Sequence, residues 1–210
     1  MRPLKTIFLL TMITLVAACS SPAFKGDVTR FHADIPPANG AKVNVIPADS
    51  ALSGGLEFGT YAEMLGQHLA RSGYTAAAGE EPDLVAVMAY AVSNGREKLL
   101  NRPRSRIGVG TWGYGHYSSY YWWAYDPFLY DQNELYATTV YTATLKVTLR
   151  YPEDADGKPG DVLFEGVVES ESRKKHLPKL MPYMLEAMFQ DFPGINGETR
   201  KIVIEPPEEK

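Results

Sequence analysis

The clearest pattern along the chain is the alternation of Tyr141, Ala143, Leu145, Val147, Leu149 and Tyr151 with Thr142, Thr144, Lys146, Thr148 and Arg150. Successive side chains of a strand point to opposite faces, so this spacing predicts one long, half-buried strand with a polar side. Pro152 to Gly160 supplies turn residues, and Val162 to Ser170 returns as the antiparallel partner. Upstream, Leu84 to Val92 is almost continuously apolar. That predicts a strand central in the sheet with both faces covered. Val28 to Ala33 and Ala41 to Pro47 read as a hairpin or two adjoining strands, with Pro-Pro-Ala-Asn-Gly at 36 to 40 as the turn between them. Lys201 to Glu205 reads as an edge strand.

Between these runs the period changes. From Leu56 to Ser72 the positions Tyr61, Met64, Leu65, His68 and Leu69 recur at three and four, one stripe of a helix that Ser50 or Ser53 can cap and Gly73 can end. A second helix carries Leu177, Leu180, Met181, Met184, Leu185, Met188 and Phe189. Pro178 suits its first turn, Pro182 is expected to delay or kink it, and Pro193-Gly194 closes it. The order of elements predicts an α+β fold, a mainly antiparallel sheet with two principal helices packed on one face. Ser93 to Leu135 keeps no period. It reads as a long Gly/aromatic-rich excursion between the central strand and the C-terminal hairpin, too long for an idle connection.

The N-terminus changes the picture from a plain globular domain to an anchored one. Arg2 and Lys5 precede an apolar run from Ile7 to Ala18, a length suited to a signal peptide and shorter than the roughly 20 residues a spanning helix needs. Leu15-Val16-Ala17-Ala18-Cys19 resembles a bacterial lipobox. That resemblance implies cleavage before Cys19, diacylglycerol on its sulfur and a fatty acyl chain, with palmitate expected, on the new amino terminus. Two or three such chains hold a protein on a bilayer. Ser20 after the cysteine, where aspartate marks inner-membrane retention in enteric bacteria, points to the outer membrane, facing the periplasm. The expected division is 1–18 signal peptide, 19–26 lipidated tether, 27–205 single domain and 206–210 frayed tail.

Processing would leave 19 basic residues against 25 acidic ones, a net charge near −6. A body of that sign is poorly suited to nucleic acid, whose phosphates call for clustered positive charge. Cys19 is the only cysteine, so no internal disulfide can form and packing must supply stability. Hydrophobic residues make up 45%, enough for a folded core.

The helix ending Leu69-Ala70-Arg71-Ser72-Gly73-Tyr74, the Pro82-Asp83-Leu84-Val85-Ala86-Val87 strand, Thr144-Leu145-Lys146-Val147 and the closing Phe189-Gln190-Asp191-Phe192-Pro193 together resemble the bacterial lipoproteins that carry domain of unknown function 4136. The resemblance spans about residues 27 to 194. It departs from the family's Trp-Arg or Trp-x-Gly step at Phe164-Glu165-Gly166. It implies a fold and an envelope location, and no activity or site residue.

Ten aromatic residues fall between 112 and 130: Trp112, Tyr114, Tyr117, Tyr120, Tyr121, Trp122, Trp123, Tyr125, Phe128 and Tyr130. Tyr and Trp supply large contact area at low entropic cost, so the segment is a candidate surface for an envelope protein, a membrane or peptidoglycan. The plainer alternative is a flap that buries the rings as a satellite core. Arg96, Lys98, Arg102, Arg104 and Arg106 precede it, a basic stretch for an acidic partner or anionic headgroups, or simply a solvated loop. Arg173-Lys174-Lys175-His176 reads as a solvent-facing strand end. No glycine-flanked nucleophilic serine, HExxH helix or phosphate loop is present, so no catalytic residue, metal or cofactor is assigned. His68 reads as a packed core histidine, and His116 is the one histidine in a setting suited to function. The leading expectation is a non-catalytic envelope lipoprotein. Its rival is an enzyme or small-ligand carrier acting on envelope material.

Overall fold

A computed structural model describes residues 23–102 and 134–205. The elements in order are β1 (Phe24–His32), β2 (Lys42–Pro47), α1 (Leu56–Arg71), β3 (Thr75–Ala76), β4 (Leu84–Val92), β5 (Arg96–Arg102), β6 (Glu134–Arg150), β7 (Val162–Ser172), α2 (Leu177–Phe189) and β8 (Glu198–Ile204). The sheet runs β3-β2-β4-β6-β7-β1-β8, and β5 pairs with β6 off that path. Every pairing is antiparallel except β2 with β3 and β2 with β4, where α1 provides the crossover that parallel strands require. This is the mixed α+β fold, mainly antiparallel, that the periodicity predicts.

The core lies between the sheet and the two helices. Leu145, Val147 and Leu149 of β6, Val168 and Phe164 of β7, Val28 of β1 and Met88 of β4 are fully buried. Above them sit Leu65 of α1 and Met181, Met184, Leu185 and Met188 of α2. The predicted stripes face inward, with Met64 and His68 half-buried at the edge of α1. Pro182 lies inside α2 and is exposed, so water can serve the carbonyl it leaves free and the helix runs through it.

The family-like motifs have structural roles. Gly73 (φ 95°) ends α1 in a Schellman arrangement: Tyr74 N–H donates to Leu69 O at 3.1 Å, Gly73 N–H to Ala70 O at 3.0 Å, and Tyr74 is buried. Asp83 fixes the start of β2, its carboxylate accepting from Lys42 N–H at 2.8 Å while its own N–H donates to Lys42 O at 2.9 Å.

Four expectations are corrected. β1 and β2 are not neighbours: β1 lies between β7 and β8, and β2 between β3 and β4. The connection is a crossing segment, bonded at one end to Leu163 O and at the other to Gly73 O, with Ile35 and Ala38 packed on the core. β1 begins at Phe24 rather than Val28, because Phe24 is a core residue, 6% exposed, stacked on Tyr183 with ring centroids 5.8 Å apart. β4 is central, yet its second face opens from buried Val85 through half-buried Val87 and Ala89 to exposed Ala91. Neither Ser50 nor Ser53 caps α1. Its N-cap is Gly55, while Asp49 caps a separate 3-10 turn at Ser50–Leu52.

Candidate functional site

The supposed structureless excursion starts and ends as a β-ribbon. β4 pairs with β6 as far as Val92↔Ala143, and β5 resumes at Arg96↔Val140, so Ser93, Asn94 and Gly95 oppose only Tyr141 and Thr142. This is a β-bulge, one extra residue on one strand. Ser93 Oγ accepts from Thr142 N–H at 2.9 Å, and Gly95 takes φ 91°. A Cβ on Gly95 would lie 2.8 Å from Thr139 Cγ2 and 2.9 Å from the Tyr141 ring, so a side chain is excluded twice over. β6 passes the bulge without a break.

Beyond the bulge the register places Arg96, Lys98 and Leu100 opposite Val140, Thr138 and Tyr136 on one face, and Glu97 and Leu99 opposite Thr139 and Ala137 on the other. Among the described residues no third strand joins this ribbon. Its base is tied to the sheet by Glu171 of β7, which takes Lys98 Nζ at 2.8 Å and pairs with Arg96 as well. Lys98 first and Arg96 second hold the Glu171 carboxyl below its ordinary range. Val140 is buried, whereas Leu99 is 67% exposed, an apolar side chain left in solvent on the other face.

The predicted site residues Cys19, Trp112, Tyr114, Tyr117, Tyr120, Tyr121, Trp122, Trp123 and Tyr125, together with His116, lie outside the described residues. The segment holding the aromatics joins the paired residues Arg102 and Glu134. Arg173, Lys174, Lys175 and His176 are exposed between β7 and α2.

Two buried polar groups escaped the sequence reading. Arg30, 3% exposed, donates from Nη2 to Ala187 O near the end of α2 at 2.7 Å, and its Nε has no partner among the described residues. Its pKa is lowered, chiefly by burial. Gly194 (φ 83°) leaves room for it, since a Cβ there would run into the guanidinium. Tyr90 Oη is likewise buried and unpartnered, against Tyr61 edge to face at 5.0 Å. Tyr61 donates to Glu57 Oε1 at 3.0 Å.

His68 stacks on Phe189 at 5.4 Å, and burial, with Arg71 adding to it, lowers its pKa. A cleft of about 710 Å³ beside it is lined by His68, Arg71, Glu186, Phe189 and Phe192 among others. Among the described residues no group of three or more His, Cys, Asp or Glu is placed to hold a metal, and no helix is long and apolar enough to cross a membrane.

Comparison with known proteins returns a family rather than an activity. The model of the domain of unknown function DUF4136 matches residues 30–194. No curated protein matches the sequence. Among solved structures, a PDZ domain protein from Parabacteroides distasonis is similar at 12% identity and TM-score 0.47, over 92% of this chain and 41% of that one. This chain therefore spans less than half of that protein. A PelC dodecamer from Paraburkholderia phytofirmans is similar at 11% identity and TM-score 0.35, over 77% of this chain and 92% of that one.

Proposed function

The chain belongs to the DUF4136 family, and from that premise we propose that it is an outer-membrane lipoprotein held by Cys19. Its non-catalytic periplasmic domain offers the aromatic segment, residues 112 to 130, to an envelope protein or a cell-wall component. The observation that carries this reading is the adjacency of lipobox and fold. Four residues separate Cys19 from Phe24, where the buried part of β1 begins. The apolar N-terminal run therefore stops where a tether must start, and is spent on export and anchoring.

Two experiments test it. Mass spectrometry of the membrane-extracted protein should show a chain beginning at Cys19 and carrying acyl groups; a chain that still begins at Met1 would sink the anchoring. Alanine at Tyr120, Tyr121, Trp122 and Trp123 should abolish a specific envelope crosslink while thermal unfolding stays unchanged. Loss of the fold instead would make those rings core.

A small-ligand carrier is the second reading. The cleft beside His68 favours it, its volume lying within the roughly 300–1,000 Å³ of ordinary ligand sites.

A further inference from the structure

We propose that one end of the sheet, the end bearing the exposed basic corner Arg173-Lys174-Lys175 and the β5/β6 ribbon, faces the bilayer and contacts its anionic headgroups. The inference rests on the anchoring reading above and names the surface that the anchor brings to the lipid.

The argument is one of register. β1 pairs with β7 at Asp27↔Glu169, and carrying that antiparallel register three residues further puts Phe24 level with Ser172. Ser172 in turn pairs with Tyr141 of β6. The row through Phe24, Ser172 and Tyr141 is therefore where the chain leaves towards Cys19. It is also where β7 runs into the basic corner and where β6 leaves the main sheet as the ribbon. Three features far apart in sequence emerge at one end.

Lengths decide whether they can meet the same surface. The five residue-to-residue steps of extended chain from Cys19 to Phe24 reach at most about 17 Å. From the level of Tyr141 to Glu134 the ribbon advances seven residues, about 23 Å at the usual rise. With a twist of about 20–25° at each of the two steps from β1 to β6, about 16 Å of that still projects along β1. With β1 pointing at the bilayer, the ribbon thus extends about as far as the tether can hold the domain away, so in that orientation it reaches the headgroups.

Charge is ordered in the same sense. Arg173, Lys174 and Lys175 are exposed, and none forms an ion pair among the described residues. Exposed Lys179 follows them in the chain, and the β1–β7 register brings exposed Lys25 to the same end. Of the acids at this end, Glu171 is already taken by Arg96 and Lys98, while Glu97 on the ribbon and Glu205 beside the end of β8 are exposed and, among the described residues, outside any ion pair, fewer than the free cations. At the opposite end the β6–β7 turn exposes Asp154, Asp156 and Asp161 against Lys158, with Glu153 paired to Arg150. A chain acidic overall thus turns its unpaired cations towards the side of its anchor, where phosphate headgroups attract them.

The test uses the full, lipidated protein in vesicles of phosphatidylethanolamine and phosphatidylglycerol. Acylation blocks the only native thiol, so Leu99→Cys, Lys175→Cys and, at the far turn, Asp156→Cys can each be labelled with a fluorophore. A nitroxide on the lipid headgroup should quench the labels at 99 and 175 several-fold more than the label at 156. Replacing phosphatidylglycerol by phosphatidylcholine, or making Arg173→Glu with Lys174→Glu, should reduce quenching at 175. Equal quenching at all three positions while the protein floats with the vesicles would overturn the orientation and leave the anchor standing. Protein that stays in the buffer, with a free Cys19 thiol, would overturn the anchor and the orientation with it.

Discussion

Arg30 and Tyr90 are both polar and deeply placed, yet they should respond to substitution in opposite ways. Arg30 joins β1 to the carbonyl end of α2, where the helix dipole favours a cation. Arg30→Ala removes a charged hydrogen bond and leaves a void, and should cost about 2–4 kcal/mol in chemical denaturation. Tyr90 buries a hydroxyl without a partner. Tyr90→Phe keeps the ring against Tyr61 and removes the orphan, so stability should hold or rise by up to about 1 kcal/mol. A clear loss would mean that the hydroxyl is bonded. His68 adds a pH dependence of definite sign. Its folded pKa is below the unfolded one, so the unfolded chain binds the proton more readily. Its contribution is complete above the ordinary histidine range and is lost as pH falls through the lowered value. The His68 ring should titrate below the ordinary histidine range in NMR, and His68→Gln should flatten the fall in stability on the acid side of that range.

At the level of elements, Gly95 decides where the ribbon goes. A side chain there meets both Thr139 and the Tyr141 ring and must adopt positive φ. Gly95→Ala should therefore cost about 1–3 kcal/mol of local strain. Hydrogen exchange should show it as faster opening of Arg96–Leu100, with the β6–β7 core unchanged. The same bulge explains what the sequence concealed. Tyr141 to Arg150 alternates because one face of β6 meets the helices, and that half was legible. The half from Glu134 to Val140 pairs only with β5 among the described residues, charges and apolar residues fall on both faces of that ribbon, and no period survives. Strand order was equally hidden. Adjacent strands in sequence are the ordinary expectation, whereas the strand order and the packing of Ile35 and Ala38 show that the link from β1 to β2 crosses the fold. The continuous apolar run of β4 marked its central position correctly but overstated the cover on its second face, where small residues such as Ala89 and Ala91 tolerate partial exposure.

For the molecule as a whole, the decisive quantity is the distance between the proposed anchor and the core. The proposed site, one cysteine and ten rings, rests on sequence chemistry alone because those residues lie outside the described ones, and what surrounds it depends on pairings that no local pattern encodes. Phe24 illustrates this: in sequence it looks like part of a tether between Ala23 and Lys25, and in the fold its ring lies against Tyr183 and closes the core beside Val168. Its loss is a loss of core and not of linker. A soluble chain beginning at Ala23 should therefore unfold as the full domain does. One beginning at Val28, the boundary suggested by alternation alone, forfeits the Phe24 ring and the pairing of Phe24 to Asp27 with β8. It should be less stable by about 3–5 kcal/mol, the usual cost of deleting a buried aromatic side chain. Equal stability of the two chains would make residues 24 to 27 a true linker, lengthen the tether by four residues, and remove the limit on reach that brings the ribbon to the membrane.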